Sequence, residues 1–284
     1  MRSMTKTVII TGANGFLGQV LVDYFASQNY SVRALVRNPG AFNNTKLITY
    51  YPYDLTKKID SKPFRKANIV IHTAYISKGK DVFTQNLDAA RALLKVSREN
   101  NIEKNIFISS MSASSDAESA YGRQKYAIEQ LFNGQEDVII RSGLIIGNGG
   151  LAKNIIDFMA KNHVAPLIGG GGQPIQFVSA QELAKIIEII ITKNISGKLY
   201  IGTPRVYTYK EFYQAVKDKR RISALLIPVP YILPLVVIRA IRLLHIPIMV
   251  TEDNLKGLRA LRSFDTSKDL KKVGVKLSEL DDIL

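Results

Sequence analysis

Apolar runs alternate with helical patterns through the first half of the chain. Continuous, β-branched runs predict buried parallel strands at residues 7–10, 31–36, 47–51, 68–73, 105–110 and 137–141. Between them, apolar positions spaced three and four residues apart predict helices at 16–27, about 84–100 and 121–132. This alternation predicts an α/β fold built on a doubly wound parallel sheet of Rossmann type.

The second half of the chain carries helix-start signals and a glycine run. Ser179 with Glu182, and Thr208 with Glu211, have the spacing of capping boxes and predict two further helices. The four glycines at 169–172 precede a short strand. They are either a plain hairpin loop or a place where backbone approaches a diphosphate, and both interpretations stay open.

Composition narrows the class of protein. The 284 residues suit one α/β domain with a smaller appended lobe, or two intimate domains. The chain has no cysteine, and its three histidines are far apart, so no metal site is expected. The N-terminus enters the first strand without a signal-peptide core, so cytoplasmic residence is the expectation.

The net charge of +15 is high. It fits a solvated basic surface, an anionic substrate, a membrane surface or nucleic acid. Neither a zinc finger nor an RNA-binding aromatic signature is visible in the sequence, so nucleic acid is not an expected partner.

A glycine-rich turn joins the first predicted strand to the first predicted helix. Gly12, Gly15 and Gly18 lie in the stretch TGANGFLG, spaced Gly-x-x-Gly-x-x-Gly. Glycines here let the chain turn tightly and bring backbone N–H groups against a pyrophosphate at the positive end of the helix. A structural turn is the alternative. The candidate cofactor-binding residues in this stretch are Gly12, Asn14, Gly15, Phe16, Leu17 and Gly18.

A basic residue ends the second predicted strand. Enzymes that prefer NAD usually carry an acid about 20 residues past the glycines, where it holds the ribose 2′-hydroxyl. Arg37 lies 19 residues after Gly18. Its guanidinium could bind a 2′-phosphate, which favours NADP with NAD as the alternative. Arg33 either assists or faces solvent.

A tyrosine and a lysine one helical turn apart follow the fifth predicted strand. Tyr121 and Lys125 stand at i, i+4, on one helical face. A phenol with its ordinary pKa near 10 is a poor base, but a nearby ammonium favours the phenolate. Ser110, at the end of the strand, could polarise a reacting oxygen. A tyrosine–lysine pair of this spacing is common on solvated helices. Its position after a strand that ends in hydroxyl residues is what favours a catalytic role over a structural one.

The series TGANGFLG, Asp54-Leu55, Ser109-Ser110 and YGRQK followed by Ala-Ile-Glu resembles the extended short-chain dehydrogenase/reductase family, the NAD-dependent epimerase/dehydratase group, over about residues 5–205. The resemblance implies that Tyr121 is the acid/base, that Lys125 orients the ribose and tunes Tyr121, and that Ser110 takes the serine role. It also implies cofactor contacts at Asp54, Leu55, Thr73, Ala74, Tyr75, Asn86, Ser109, Tyr121 and Lys125.

Several of these positions have structural alternatives or depart from the family pattern. Asp54 is also typical of a plain loop, Asn86 of a helix cap, and His72 of a packed strand. Met111 interrupts the usual run of hydroxyl residues, so Ser112 is a substitute for Ser110. Arg141-Ser142 stands where many relatives have Arg-Pro.

An uncharged, proline-punctuated segment occupies residues 224–238. Residues 217–262 around it hold nine basic residues against three acids. Apolar surface flanked by positive charge is typical of a peripheral membrane contact. The alternative is a segment that covers the substrate lobe and buries its apolar face.

The resulting hypothesis is an NAD(P)-dependent oxidoreductase of the extended short-chain type that acts on an anionic nucleotide-diphosphate sugar, as a 4-keto-sugar reductase or an epimerase. Residues 1–147 would bind the dinucleotide, and 148–284 would form a smaller C-terminal α/β substrate lobe, with 175–205 returning to the core sheet. A homodimer would use the helices near 84–100 and 121–132. The alternative from another class is a non-catalytic dinucleotide-binding subunit or a membrane-associated reductase-like protein.

Overall fold

The computed structural model describes residues 6–233 and 251–284. The predicted apolar segment 224–238 is therefore described only as far as Leu233. Residues 1–5 of the predicted dinucleotide-binding domain lie outside the described residues. The strands in chain order are β1 (Thr7–Thr11), β2 (Ser31–Val36), β3 (Ile48–Pro52), β4 (Ile69–His72), β5 (Lys104–Ser110), β6 (Val138–Ser142), β7 (Leu144–Ile146), β8 (Val164–Ile168), β9 (Pro174–Ile175), β10 (Phe177–Ser179), β11 (Gly197–Ile201), β12 (Tyr207–Thr208) and β13 (Leu225–Val229).

The helices include five that the sequence pattern predicts and four, at 150–162, 252–259, 267–273 and 280–283, that it does not. Short 3-10 turns lie at Pro39–Ala41, Lys62–Phe64 and Gly169–Gly171. The α-helices are α1 (Phe16–Ser27), α2 (Val82–Glu99), α3 (Ala120–Glu129), α4 (Gly150–Asn162), α5 (Ala180–Thr192), α6 (Tyr209–Lys219), α7 (Glu252–Arg259), α8 (Ser267–Val273) and α9 (Leu280–Ile283).

A seven-stranded sheet in the order β3-β2-β1-β4-β5-β6-β11 forms the centre of the molecule, and its neighbouring strands all pair in parallel. Val8, Ile9 and Ile10 of β1 are fully buried because helices cover both faces of the sheet. The sequence predicted this fold class, and the doubly wound Rossmann-type arrangement confirms it. Residues 197–201 join the sheet as β11, beside β6.

Each sheet face has its own apolar core. Helices α1 and α5 pack together on one face, where Phe25 and Ile187 are fully buried. Helices α2 and α3 cover the other face, with Leu93 and Ile128 inside. Each such buried side chain contributes about 1.5–3 kcal/mol relative to exposure. Because the strands are parallel, their carboxyl ends lie at the same edge of the sheet, and the two apolar cores hold the sheet in place.

A second, smaller core lies beyond the sheet. Helices α4 and α6 pack over three two-stranded ribbons, β7–β10, β8–β13 and β9–β12, around Phe177 and Phe212. Both predicted capping boxes are present, at Ser179 for α5 and at Thr208 for α6. The division into a cofactor half and a substrate half near residue 147 stays a prediction.

The C-terminal residues connect the two cores. The Asp269 carboxylate accepts the Tyr200 N–H of β11, and the Lys193 ammonium donates to the Val273 carbonyl. Near the end of the chain, Tyr207 hydrogen bonds to Glu279. Within the described residues, no helix is long and apolar enough to cross a membrane.

Candidate active site

The glycine turn between β1 and α1 leaves no room for side chains. Gly12 has a φ of +66°, and a Cβ there would lie 2.8 Å from the Ala74 Cα. At Gly18 a Cβ would lie 2.1 Å from the Gly12 carbonyl oxygen. The Gly15 N–H donates to that same oxygen, and no side chain of the described residues caps α1 at Gly15. The first N–H groups of α1 therefore have no side-chain cap, and helix ends of this kind can bind a phosphate.

The ends of β1 and β4 are tied together beside this turn. The Thr11 hydroxyl oxygen accepts the N–H groups of Thr73 and Ala74, each at 3.2 Å. It also lies 2.8 Å from His72 Nδ1. Burial lowers the pKa of His72 to about 3, with the Lys125 charge adding to the effect, so His72 stays neutral and serves as a packed strand residue.

Asn86 organises the loop after β4 instead of capping α2. Its amide group is buried, accepts the Ile76 N–H at 2.9 Å and donates to the carbonyls of Ile76 and Val82 at 2.9 Å. Helix α2 is preceded by Asp81, which adopts a left-handed conformation. The side chain of Asn86 therefore shapes the loop that carries Tyr75, and a direct cofactor contact by its amide would require these bonds to break.

Three predicted cofactor residues lie at the ends of β2 and β3. Arg37 is exposed, while Asp54 and Leu55 are half-buried. The pKa of Asp54 is lowered chiefly by hydrogen bonds from Thr56, with a smaller effect from the Arg37 charge. Arg33 is excluded from this group because its guanidinium donates to the carbonyls of Pro63 and Arg65, at 2.6 and 2.7 Å.

Ser110, Tyr121 and Lys125 come together at the end of β5. The Ser110 hydroxyl lies near enough to the Tyr121 phenol to affect its pKa, and the Tyr121 ring meets the Tyr75 ring edge-on with centroids 5.5 Å apart. Ser112 lies 2.9 Å from Ser110, hydroxyl to hydroxyl, so both hydroxyls are at the site. Tyr75 belongs to the loop fastened to Thr11, which links this group to the glycine turn.

Burial dominates the electrostatics of the tyrosine. Tyr121 is 38% exposed, yet its hydroxyl lies deep enough that burial raises its pKa, while the nearby Ser110 hydroxyl opposes that change in part. The phenol is therefore protonated at neutral pH and can donate a proton to a carbonyl oxygen at its side.

The lysine is enclosed by carbonyl and aromatic groups. Lys125 Nζ donates to the Ile108 carbonyl at 2.9 Å and lies 4.7 Å from the Phe107 ring centroid. Burial lowers the pKa of Lys125 to about 8, and the Glu129 carboxylate opposes that change. Its positive charge is therefore sensitive to small changes in its surroundings near neutral pH.

A buried carboxylate completes the same face of α3. Tyr121, Lys125 and Glu129 follow one another at i, i+4 and i+8. Arg141 makes two bonds to Glu129, of 2.8 and 2.7 Å. The Ser109 hydroxyl donates to Glu129 at 2.5 Å, and Lys198 Nζ lies 3.2 Å away. The Ser109 hydroxyl is thus occupied by Glu129, so any cofactor contact of Ser109 would come through its backbone.

A residue from the far end of the chain supports the start of α3. The Asp253 carboxylate accepts the N–H groups of Ala120, at 2.5 Å, and of Tyr121, at 3.3 Å. The Ser119 hydroxyl accepts the Gly122 N–H at 3.1 Å. Sequence reasoning assigned no role to Glu129 or Asp253. The i+4 spacing after Lys125 was a signal for Glu129, whereas nothing local could identify Asp253.

Phe16 of the glycine turn packs against the loop between β7 and α4. A Cβ at Gly147 or Gly149 would lie 2.7 Å from its ring, and one at Gly150 would lie 3.0 Å away. These glycines make room for the Phe16 ring. The glycine run at 169–172 lies elsewhere, at the end of β8, where Gly171 packs on Leu167 and Lys210. Strand β8 pairs with β13 and β9 pairs with β12, so the run does not close a hairpin between its flanking strands, and that interpretation is wrong. The approach of this backbone to a diphosphate stays a prediction.

Two known proteins are similar to this chain in sequence. An uncharacterised protein, y4nG, of Sinorhizobium fredii is 25% identical over 240 residues, which are 75% of this chain and 60% of that protein. The chain thus spans less than two thirds of that relative's length. The mitochondrial NADH dehydrogenase (ubiquinone) 1 alpha subcomplex subunit 9 of Dictyostelium discoideum is 27% identical over 248 residues, 80% of this chain and 68% of that one.

Solved structures share the fold. UDP-glucuronic acid 4-epimerase from Bacillus cereus, in complex with UDP-glucuronic acid and NAD, superposes with a TM-score of 0.75 at 19% identity, covering 98% of this chain and 96% of the epimerase. The model of the NAD dependent epimerase/dehydratase family matches residues 8–202, from β1 to the end of β11. The chain belongs to the NAD dependent epimerase/dehydratase family.

Proposed function

We propose that this chain is an NAD(P)-dependent oxidoreductase that reduces or epimerises a nucleotide-diphosphate sugar. The observation that carries the proposal is the grouping of Ser110, Tyr121 and Lys125 beside Tyr75, in a loop bonded to the glycine turn. A dinucleotide on that turn would have its reactive end near this grouping. The neighbouring epimerase, solved with a UDP-sugar and NAD, supports the substrate class.

Each residue of the site has a distinct role in the proposed reaction. A bound nicotinamide would supply or accept the hydride. Tyr121 exchanges a proton with the substrate oxygen, and Ser110 polarises that oxygen through its hydroxyl. Lys125 favours the phenolate when the reaction runs toward the ketone, because its ammonium lies 5.8 Å from the Tyr121 ring. The phosphates would rest on the cradle of Gly12, Gly15 and Gly18, with Asn14, Phe16 and Leu17 at the same turn.

The cofactor preference we propose is NADP, on the ground of Arg37. This side chain is exposed at the end of β2, where no acid competes for the ribose hydroxyl in the sequence Val36-Arg37-Asn38. Replacing Arg37 by alanine should weaken NADPH binding far more than NADH binding, as measured by titration calorimetry. Lys57→Ala, an exposed lysine nearby, is the control. Equal losses for both cofactors would remove the role given to Arg37.

The enzymatic assignment is tested with Tyr121→Phe. Turnover of a panel of nucleotide sugars, followed by nicotinamide absorbance and by product analysis, should fall by at least about a thousandfold while dinucleotide affinity changes little. Tyr126→Phe on the same helix is the control. Retained turnover in Tyr121→Phe would count against the assignment.

A second candidate function has one observation in its favour. The similarity to the mitochondrial NADH dehydrogenase subunit extends over 80% of this chain, which fits a dinucleotide-binding subunit without turnover. Such a subunit would bind NADPH but leave the whole sugar panel unchanged. Retention of Tyr121 and Lys125 favours the enzyme.

For assembly, we propose a homodimer through α2 and α3. A groove of about 300 Å³ between these helices is lined by Leu94 and Leu131 with charged residues at its rim. Sedimentation of the intact protein tests this, and Leu131→Glu should shift the mass to that of a monomer. Cytoplasmic residence stays a prediction.

A further inference from the structure

The ribbon formed by β8 and β13 has an apolar face toward solvent. In the parallel register Leu225 pairs with Val164, Ile227 with Pro166, and Val229 with Ile168. Side chains alternate between faces along a strand, so these six share one side. None of them is polar. Solvent-facing strand positions normally carry polar side chains, so this face departs from the usual pattern.

Two of the six side chains on this face are exposed, and the other four are half-buried. Leu225 is 69% exposed and Ile227 is 42% exposed, whereas Ala165 and Leu167, on the opposite side of β8, are buried. The chain continues beyond β13 with Ile232 and Leu233, which are 65% and 52% exposed. The apolar surface therefore extends along the chain past the ribbon, and surfaces of this kind mark contacts with a partner or a membrane.

Positive charge surrounds the start of the ribbon. The Leu225 N–H donates to the His163 carbonyl, which joins β13 to the end of α4. Helix α6 ends at Lys219 and residues 220–224 connect it to β13; Lys219, Arg220 and Arg221 are all exposed at the start of this connection. The sequence from 219 to 250 contains five Lys or Arg residues and no acid. The nearest acid, Asp218, accepts a hydrogen bond from Gln214.

The apolar face and the basic residues together favour one kind of binding partner over others. A second copy of the chain would bring two basic clusters together across the same patch, which is unfavourable. A neutral protein partner would leave the basic residues without a counterpart. An anionic bilayer satisfies both features, because its interior takes apolar side chains and its headgroups attract lysine and arginine.

We propose that the outer face of the β8–β13 ribbon, called here the ribbon face (Val164, Pro166, Ile168, Leu225, Ile227 and Val229), docks this protein on the surface of an anionic lipid bilayer. The contact is peripheral: the side chains of Leu225 and Ile227 enter the interfacial region, and Lys219, Arg220 and Arg221 meet the phosphate groups. This inference stands on the ribbon and its charges, independently of the proposed catalysis.

The full chain contains no tryptophan, which makes a single added one an unambiguous reporter. In Ile227→Trp, addition of vesicles of phosphatidylcholine with phosphatidylglycerol should shift the emission to shorter wavelength, and pure phosphatidylcholine should not. Val206→Trp, at a position 41% exposed in another part of the molecule, is the matched control and should show no shift.

Co-sedimentation of the untagged protein with the same vesicles gives the magnitude. Each basic residue near an anionic surface contributes about a fivefold increase in partitioning, so Lys219→Glu/Arg220→Glu should lower binding by at least about 25-fold. Leu225→Ser/Ile227→Ser should lower it by at least about tenfold. Lys46→Glu/Lys58→Glu, two exposed lysines in loops flanking β3, should bind as the unsubstituted protein does.

Several results would overturn the proposal. They are failure of the protein to bind anionic vesicles, binding that none of the ribbon-face variants reduces, or an equal loss in the Lys46/Lys58 control. A dimer in solution that Leu225→Ser/Ile227→Ser dissociates, with no vesicle binding, would assign the face to a second copy. Thermal unfolding of each variant checks its fold, and the charge variant carries the test if the serine variant does not fold.

Discussion

Lys125→Met should stabilise the protein at neutral pH while removing its proposed activity. The difference between the ordinary lysine pKa of 10.5 and about 8 at this buried site corresponds to about 3 kcal/mol of destabilisation when the ammonium is charged. The methionine removes that cost but loses the hydrogen bond to Ile108, which is worth about 1 kcal/mol. The expected net gain at pH 7 is about 2 kcal/mol.

The sign with pH follows from proton binding. Lys125 releases its proton near pH 8 when folded and near pH 10.5 when unfolded, so between these values the unfolded chain binds more protons. The stability of the unsubstituted protein therefore rises through this window, by about 1.4 kcal/mol between pH 7 and pH 9. The advantage of the methionine variant should shrink by the same amount.

Urea unfolding of the cofactor-free protein at pH 7 and pH 9 measures both quantities. Titrating groups remote from Lys125 are common to the two proteins, so their effects cancel in the difference. Lys46→Met, in an exposed loop, is the matched control and should change stability little at either pH. A methionine variant that is no more stable at pH 7, with a difference independent of pH, would refute the reasoning. A gain in stability with loss of turnover is the expected pattern for a catalytic residue.

Three further changes test the surroundings of the site. Glu129→Gln should lower stability by about 3–5 kcal/mol and the melting temperature by about 10 °C, because Arg141 loses its buried partner. Glu103→Gln, in an exposed ion pair with Lys6, is the control and should cost under about 1 kcal/mol; similar shifts of the two variants in calorimetry would contradict this. Asp253→Ala should lower turnover about tenfold with cofactor affinity unchanged, and Thr251→Ala, which weakens α7 but keeps the carboxylate, should not; equal rate losses would assign the effect to α7. Gly18→Ala should weaken dinucleotide binding by at least about a hundredfold. Gly40→Ala, where a Cβ meets nothing closer than 3.6 Å, is the control and should leave binding intact. Unchanged affinity in Gly18→Ala would contradict the proposal that the phosphates bind at the glycine turn.

The strands were predictable because buried parallel strands are continuous apolar runs, and each prediction falls within one residue of the observed ends. Helix ends were less accurate. Helix α3 stops at Glu129, three residues before the predicted end, because Leu131 and Phe132 turn back through bonds to residues three positions earlier. Hydrophobic periodicity continues through such a turn, so the pattern alone could not show it.

The site was predictable where its residues are local in sequence. The glycine turn and the Tyr121–Lys125 pair lie within short motifs, and the fold brings them to one edge of the sheet. What Arg33 and Ser109 bond to was not predictable, because their partners come from a distant loop and a distant helix. The same holds for Asp253. The partners of Asn86 lie only four and ten residues away, but hydrophobic periodicity does not show how the loop between them folds.

Asp253 makes the order of synthesis matter to the catalytic helix. The residue that accepts the N–H of Ala120 is 133 positions further along the chain. The glycine turn and α3 are therefore synthesised long before Asp253, which bonds to the start of α3. A polypeptide that ends before residue 253 would carry its tyrosine on a helix without this bond, so we expect it to turn over substrate more slowly than the full chain.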